Sequence, residues 1–249
     1  MRHCGVVPSG LDGNPIPLIS PERTAVLELV AAAATASTVG DGRRLIAVDG
    51  ASGTGKSTFA DELGRTIETR GSPTVRASID SFHRPRRERY RLGADSPIGY
   101  YRDSHDLAAV QRELLQPFIA GTGSYRRALF DEPSDHVTDE PAEPVPAAAI
   151  LVFDGLFLLR PELCEYWSLS VFLTAVTRRE AAWNEYLMND LPERADLRAQ
   201  EIAARTERAR RSRYLEGQAL YEREATPDVH ANFVINNDDL LHPQVIARR

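Results

Sequence analysis

Five short apolar runs punctuate the chain, and polar segments of helical period separate them. The first, Leu45 to Val48 within the stretch from Arg43, ends at Asp49-Gly50, and the second, near Thr74 to Ile79, ends at Asp80. The third, Ala149 to Phe153, ends at Asp154-Gly155, and Leu169 to Leu173 and Asn232 to Ile235 follow. Runs of this length, bounded by Gly, Asp or Asn, predict strands. After the first of them Phe59, Leu63 and Ile67 recur at i, i+4 and i+8, the stripe of an amphipathic helix. Further helical stretches read around Arg178 to Met188 and Asp196 to Glu216. Upstream, Ser20-Pro21-Glu22 reads as a helix start, with Ser20 as N-cap, Pro21 at the first helical position, and Val26, Leu29, Val30 and Ala33 on one face. This helix is expected to cover a sheet edge. Strands alternating with helices predict an α/β architecture, a mainly parallel central sheet with helices on both faces. Such sheets bind ligands beyond the carboxyl ends of their strands, where Asp49, Asp80 and Asp154 fall.

Between the first strand and its helix stands Gly50-Ala51-Ser52-Gly53-Thr54-Gly55-Lys56-Ser57, followed by Thr58. Glycines in this G-x-x-x-x-G-K-S pattern let backbone N–H groups turn toward a triphosphate without a Cβ in the way, and the helix N-terminus adds partial positive charge. Lys56 would reach the β- and γ-phosphates, the Ser57 hydroxyl would meet the bridging magnesium ion, and Thr58 would add an α-phosphate contact. A strand before the loop and an amphipathic helix after it are the context that a P-loop NTPase fold requires.

Composition sharpens this picture. Of 30 basic residues, Lys56 is the only lysine, at the one place where a compact ammonium rather than a guanidinium fork is required. A net charge of −6 gives no overall electrostatic reason to bind nucleic acid or a membrane surface. No apolar stretch is long enough to span a bilayer and no signal-peptide pattern opens the chain, so a cytoplasmic location is expected. The two cysteines, Cys4 and Cys164, form no disulfide framework, and Cys164 is expected in the core. His83 stands beside the second strand and the other five histidines lack ligand spacing, so no structural zinc is expected. Residues 1–19, rich in Pro and Gly, read as a loosely ordered leader, and 20–249 as one domain. The acidic, Pro-rich stretch from Asp131 to Pro146 reads as a surface excursion, either a solvated loop or a substrate lid.

With that loop in place, the order of further motifs resembles the uridine kinase and phosphoribulokinase superfamily. The motifs are Asp80-Ser81-Phe82-His83-Arg84-Pro85, Tyr100-Tyr101-Arg102-Asp103-Ser104-His105-Asp106, Phe153-Asp154-Gly155, the segment Arg213 to Tyr221, and Ala231 to Asn237. The resemblance implies ATP and Mg2+ as cofactors and a small-molecule hydroxyl as acceptor, most naturally that of a uridine- or cytidine-like nucleoside. It makes Asp80 the base that accepts the hydroxyl proton, with a magnesium contact through water, and gives Asp154 a water-mediated magnesium contact. It also places Arg178 and Arg179 on an arginine-bearing lid near 178–216. Acceptor contacts are expected from His83, Arg84, Tyr101, Arg102, Asp103, Tyr125, Arg127 and Phe130. At Phe130 the base-reading histidine of uridine kinases is replaced by a ring that stacks but cannot hydrogen-bond. Arg84, Arg86, Arg87, Arg89 and Arg91 form a strip that reads either as an anionic-acceptor site, suiting a sugar phosphate, or as an exposed charged loop. The alternative within enzymes is a kinase for another alcohol, such as a sugar phosphate or pantothenate, and an ATP-binding regulator without transfer activity is the reading from a different class. A homo-oligomer is compatible with the sequence.

Overall fold

A computed structural model describes residues 20–36, 44–177, 194–210 and 213–249, with 205–210 described by their backbone alone. The helix expected around Arg178 to Met188, together with the lid arginines Arg178 and Arg179, lies outside the described residues, as does the leader.

The central sheet has six strands. β1 (Arg44–Gly50), β2 (Thr74–Ser78), β3 (Ile150–Gly155), β4 (Leu169–Thr174) and β5 (Phe233–Asn236) are parallel, and β6 (Gln244–Arg248) returns antiparallel on β5. Their order is β6-β5-β4-β1-β3-β2. The chain leaves β1 for β2, comes back beside β1 as β3, and then builds β4 and β5 on the other side. The loop after β1 therefore opens at the point where the direction of winding reverses, the place where such sheets form a ligand crevice. Register aligns Ser78, Asp154 and Val48 in one row, so the acidic ends of β1, β2 and β3 stand side by side.

Alternate side chains of the strands feed two cores, as burial on both faces demands. Ile46, Val48, Ile150, Val152, Val171 and Leu173 pack beneath α1 (Pro21–Ala36) and α2 (Lys56–Thr69), with Val26, Leu27, Val30, Phe59, Leu63 and Ile67 as the helical contribution. α1 starts as its sequence predicts, with the Ser20 Oγ accepting from the Arg23 N–H at 3.0 Å. It shares this face with α2, in a core that also takes Phe233 and Ile235 of β5 and Val245 of the edge strand β6. Leu45, Ala47, Leu151, Phe153 and Phe172 point the other way. They meet α3 (Pro97–Asp103), a helical stretch over residues 107–120, and α5 (Arg213–Ala225), which follows α4 (Ala195–Arg210). The 107–120 stretch is α-helical over Leu107–Val110 and Gln116–Ala120 and π-helical over Gln111–Leu115.

The acidic excursion is ordered into two small hairpins, Ser124–Tyr125 with Glu143–Pro144 and Phe130–Asp131 with His136–Val137. It docks on the arginine strip: Arg89, almost wholly buried, donates to Glu132 and to Asp135, and the Arg86 backbone N–H donates to Asp135 Oδ1 at 2.7 Å. Cys164 is exposed rather than in the core, because it sits on a single 3-10 turn, Cys164–Tyr166, at the surface. No helix among the described residues is long and apolar enough to cross a membrane.

Candidate active site

Residues 50–57 wrap the N-terminus of α2. Gly50 has φ 152°, and a Cβ there would lie 2.6 Å from the Leu173 carbonyl oxygen, so only glycine lets the loop leave β1 against β4. Gly55 caps α2 in a left-handed conformation, φ 84°, without a side-chain cap. The first N–H groups of the helix thus keep their capacity for an anion. Inside the loop the Lys56 ammonium donates to the Ala51 carbonyl at 2.9 Å and Thr54 Oγ1 donates to the same oxygen at 2.8 Å. From behind, Asn237 Nδ2 donates to the Thr54 carbonyl at 2.7 Å, and Arg23 Nη1 holds Asn237 Oδ1 at 3.2 Å. Arg23 also donates to Glu62 on α2 at 2.6 Å, both side chains being buried.

Three carboxylates face or underlie this loop, each in a different state. Asp154, at the end of β3, accepts from Ser57 Oγ at 2.8 Å and from Arg76 Nη2 at 2.8 Å, while Arg76 Nε reaches Asp61 at 2.9 Å. A serine hydroxyl beside a carboxylate is a hard-oxygen donor set that fits Mg2+. Asp49 is fully buried and accepts from the backbone N–H groups of Gly50, Leu158 and Leu159 and from the Tyr221 hydroxyl. Burial pushes its pKa up, and the Tyr221 hydrogen bond is the largest of the influences opposing that shift. Asp80 lies in the 3-10 turn Ile79–Phe82, whose N-cap is Ser78. The residue is exposed to solvent, but the protein packed around its carboxyl raises the pKa, and Asp154 adds to this, against His83 and Lys56. A carboxylate made more basic within electrostatic reach of the phosphate-loop lysine has the properties of a proton acceptor.

Comparison with known proteins agrees with this arrangement. No protein-family model matches the chain. A uridine kinase of Leuconostoc citreum is 28% identical over 119 residues, 46% of this chain and 53% of that protein, so the match spans about half of the curated relative's length. A structure described as a possible uridine kinase from Bacillus stearothermophilus superposes with a TM-score of 0.61 at 19% identity, covering 85% of this chain and 97% of the other. A provisionally assigned fructose transport system kinase from Silicibacter sp. TM1040 superposes with a TM-score of 0.59 at 21% identity, covering 80% and 95%. The fold is that of the P-loop small-molecule kinases. The chain is thus similar in sequence to a uridine kinase over 119 residues, and similar in fold over most of its length to a structure described as a possible uridine kinase.

Within this P-loop kinase fold the expected acceptor residues are dispersed. Tyr101, Tyr125 and Phe130 are buried: Tyr101 packs on Phe157 and Tyr221, and Tyr125 packs on Phe118 and donates its hydroxyl to Glu143 at 3.2 Å. Arg102 pairs with Glu224 at 3.1 Å and Asp103 with Arg91 at 3.4 Å. Arg84 donates to the His105 carbonyl at 3.1 Å. Arg127 pairs with Glu143. The His83 ring lies 4.5 Å from that of His105, the two planes inclined at 50°, and His105 has no ligand spacing to His83 in the sequence. Burial holds the His105 pKa well below its ordinary value, so its ring is neutral. A cleft of about 550 Å³ opens beside the end of β2, with Arg76, Ser78 and Ser81 on one wall and Arg127, Glu140 and Glu143 of the hairpins on the other. Sequence reasoning missed Arg76, which lines the cleft from β2, and Glu140 and Glu143, which reach it only through the folding back of the acidic excursion. It also missed Asn237 and Tyr221, whose partners are more than 170 residues away in the chain.

Proposed function

We propose that the chain is an ATP-dependent kinase that transfers the γ-phosphoryl group to a hydroxyl of a small polyol, with a ribose-bearing nucleoside of the uridine or cytidine kind as the preferred class. The observation that carries this reading is the row of strand ends beside the loop: Ser78 aligns with Asp154, which accepts from Ser57, and Asp80 follows Ser78 on the next turn within the field of Lys56. In this reading Asp80 takes the proton of the attacking hydroxyl, Lys56 and the N–H groups of residues 50–57 hold the phosphates, and Ser57 and Asp154 hold magnesium. Bound magnesium supplies neutralisation of the charge on the β- and γ-phosphates. Arg178 and Arg179 remain the lid residues of the proposal, and 20–249 its single domain.

A neutral acceptor is favoured over an anionic one by what the arginine strip does. Arg89 and Arg91 are committed to carboxylates, Arg84 to a backbone carbonyl, and two glutamates line the cleft where the acceptor would enter. Arg76 and Arg127 line the same cleft but are paired with Asp61 and Asp154 and with Glu143, so its hydroxyls and carboxylates suit the hydroxyls of a sugar better than a phosphate. The rival acceptor, a sugar phosphate, would look to Arg87, which is 83% exposed and has Glu88 at 3.7 Å. A panel of nucleosides, sugar phosphates and vitamin alcohols with ATP and Mg2+, read by mass detection of the phosphorylated product, separates these readings. Uridine or cytidine is the expected substrate. Product from a sugar phosphate alone, lost in Arg84→Ala and Arg87→Ala, would transfer the proposal to the anionic class, and ATP binding with no product from any acceptor would mark a regulator. The Asp80→Asn variant should bind ATP while transfer falls by at least about two orders of magnitude, the scale of lost general-base help; normal turnover would place the base elsewhere.

A further inference from the structure

Three side chains that the phosphate loop does not use converge beside it. His83 and His105 face one another across an isolated antiparallel bridge. The Asp106 N–H donates to the Phe82 carbonyl at 2.8 Å and the Arg84 N–H to the Ser104 carbonyl at 2.9 Å. These bonds flank the His83–His105 pair and leave it non-hydrogen-bonded, the position where opposed residues come closest and send both side chains to the same face. Asp80 lies in the 3-10 turn Ile79–Phe82, and His83 is the extended residue that ends it, its Nδ1 turned back to the Asp80 carbonyl. One ligand atom from each of Asp80, His83 and His105 therefore lies within 4.8 Å of the other two.

Two independent features point to a cation there. His105 is 3% exposed, and its Nε2 is buried with no hydrogen-bond partner among the described residues, a state that costs stability unless something outside the chain satisfies it. The Nδ1 of His83 is engaged by the Asp80 backbone carbonyl at 2.8 Å, which fixes the ring and turns Nε2 into the ligating nitrogen. A second-nitrogen bond to a backbone carbonyl is what orients metal-binding histidines in general.

We propose that Asp80, His83 and His105 form a site for one divalent cation of the zinc, cobalt or nickel kind, separate in donor chemistry from the magnesium position at Ser57 and Asp154. Two imidazoles and one carboxylate select borderline cations, whereas magnesium takes oxygen ligands and retains its waters. A tetrahedral ion with ligands at about 2.1 Å holds them about 3.4 Å apart, a spacing inside the 4.8 Å that bounds the three atoms, and water takes the fourth position. The consequence rests on the kinase reading: a cation held by Asp80 occupies the oxygen that would take the hydroxyl proton, so the site inhibits transfer. Binding itself does not rest on that reading.

Cobalt supplies the probe, because its four-coordinate complexes absorb in the visible. Co2+ titrated into the chelator-stripped full chain, without ATP or acceptor, is expected to develop this absorption to saturation at one equivalent. Zn2+ should bleach it and millimolar Mg2+ should not. His83→Ala and His105→Gln should each weaken the band's binding constant by at least about tenfold, and His242→Ala, on an exposed turn with Asp239, should leave it unchanged. His105 is buried, so His83→Ala, with its far-UV circular dichroism as the check of folding, carries the result if His105→Gln does not fold. An undiminished band in folded His83→Ala, displacement by Mg2+, or no saturable band overturns the site. In the phosphotransfer assay at fixed ATP and Mg2+, micromolar Zn2+ should inhibit the wild type, and unimpaired turnover with the Co2+ band present would overturn the inhibitory role alone. Absence of any turnover would count against the kinase reading and leave the cobalt result to decide the site.

Discussion

Removing the Tyr221 hydroxyl tests how the root of the phosphate loop is held. In Tyr221→Phe the ring keeps its packing on Phe157 and Tyr101, so the change is confined to one oxygen. Asp49, fully buried, keeps the N–H groups of Gly50 at 2.6 Å, Leu158 at 3.1 Å and Leu159 at 3.2 Å, and loses its one side-chain donor. A hydrogen bond to a charged group contributes about 1.5–3 kcal/mol, so where Asp49 is ionised the variant should be less stable by about 2 kcal/mol. The pH dependence carries the sharper test. Burial already holds the folded Asp49 pKa above its ordinary 3.8, and losing the Tyr221 donor raises it further. A carboxyl whose folded pKa is raised favours the folded state while protonated and opposes it increasingly as pH rises through that pKa. The variant's deficit against wild type should therefore be full above both folded pKa values and narrow as pH falls through them, as both proteins take up the proton. Urea unfolding of the two at several pH values measures this. A deficit independent of pH, or one below about 0.5 kcal/mol throughout, would refute the assignment of Asp49 as a buried charge held by Tyr221.

Three other perturbations follow from the same geometry. Lys56→Ala should abolish ATP-dependent turnover, since positioned charge on transferring phosphates is worth several kcal/mol; in the wild type an acyl-phosphate analogue of ATP should label this single lysine, and excess ATP should suppress the labelling. Gly155→Ala would place a Cβ 2.6 Å from that of Ile79. Overpacking of this kind costs about 1–3 kcal/mol, and because Ile79 adjoins Asp80, turnover should fall more than ATP affinity. Arg23→Ala would leave Glu62 buried without its partner, a loss of about 3–5 kcal/mol, visible as a lowered denaturation midpoint; an unchanged midpoint would refute the buried pair.

The parallel sheet and the phosphate loop were legible because their signals are local: runs such as Ala149 to Phe153 are too short and too apolar for anything but a buried strand, and the glycines of residues 50–55 have meaning only as a cradle. The acceptor side was not legible for the opposite reason. An aromatic residue beside arginines has the same sequence signature whether it stacks on a ligand or fills a core, and Tyr101, Tyr125 and Phe130 fill the core. The arginines of the 84–91 strip looked like a single patch, yet Arg89 turns inward because Glu132 and Asp135, more than 40 residues later, fold back to meet it. β6 escaped notice since it is an edge strand whose residues alternate between exposed and half-buried, with a bulge between Val245 and Ala247. His105 lacked a spacing signal because its relation to His83 exists only across the bridge.

The run of hydrogen bonds from Glu62 through Arg23 and Asn237 to the Thr54 carbonyl bears on where the nucleotide-binding unit begins. A chain trimmed to start at β1 would retain every residue of the G-x-x-x-x-G-K-S pattern and all five parallel strands, and would still lose the support behind the loop, since that support enters from the first turn of α1. Fusion proteins, truncations and crystallisation variants should be cut ahead of Ser20. A shortened version that folds but binds ATP weakly would be reporting the missing arginine, not a defect in the loop itself.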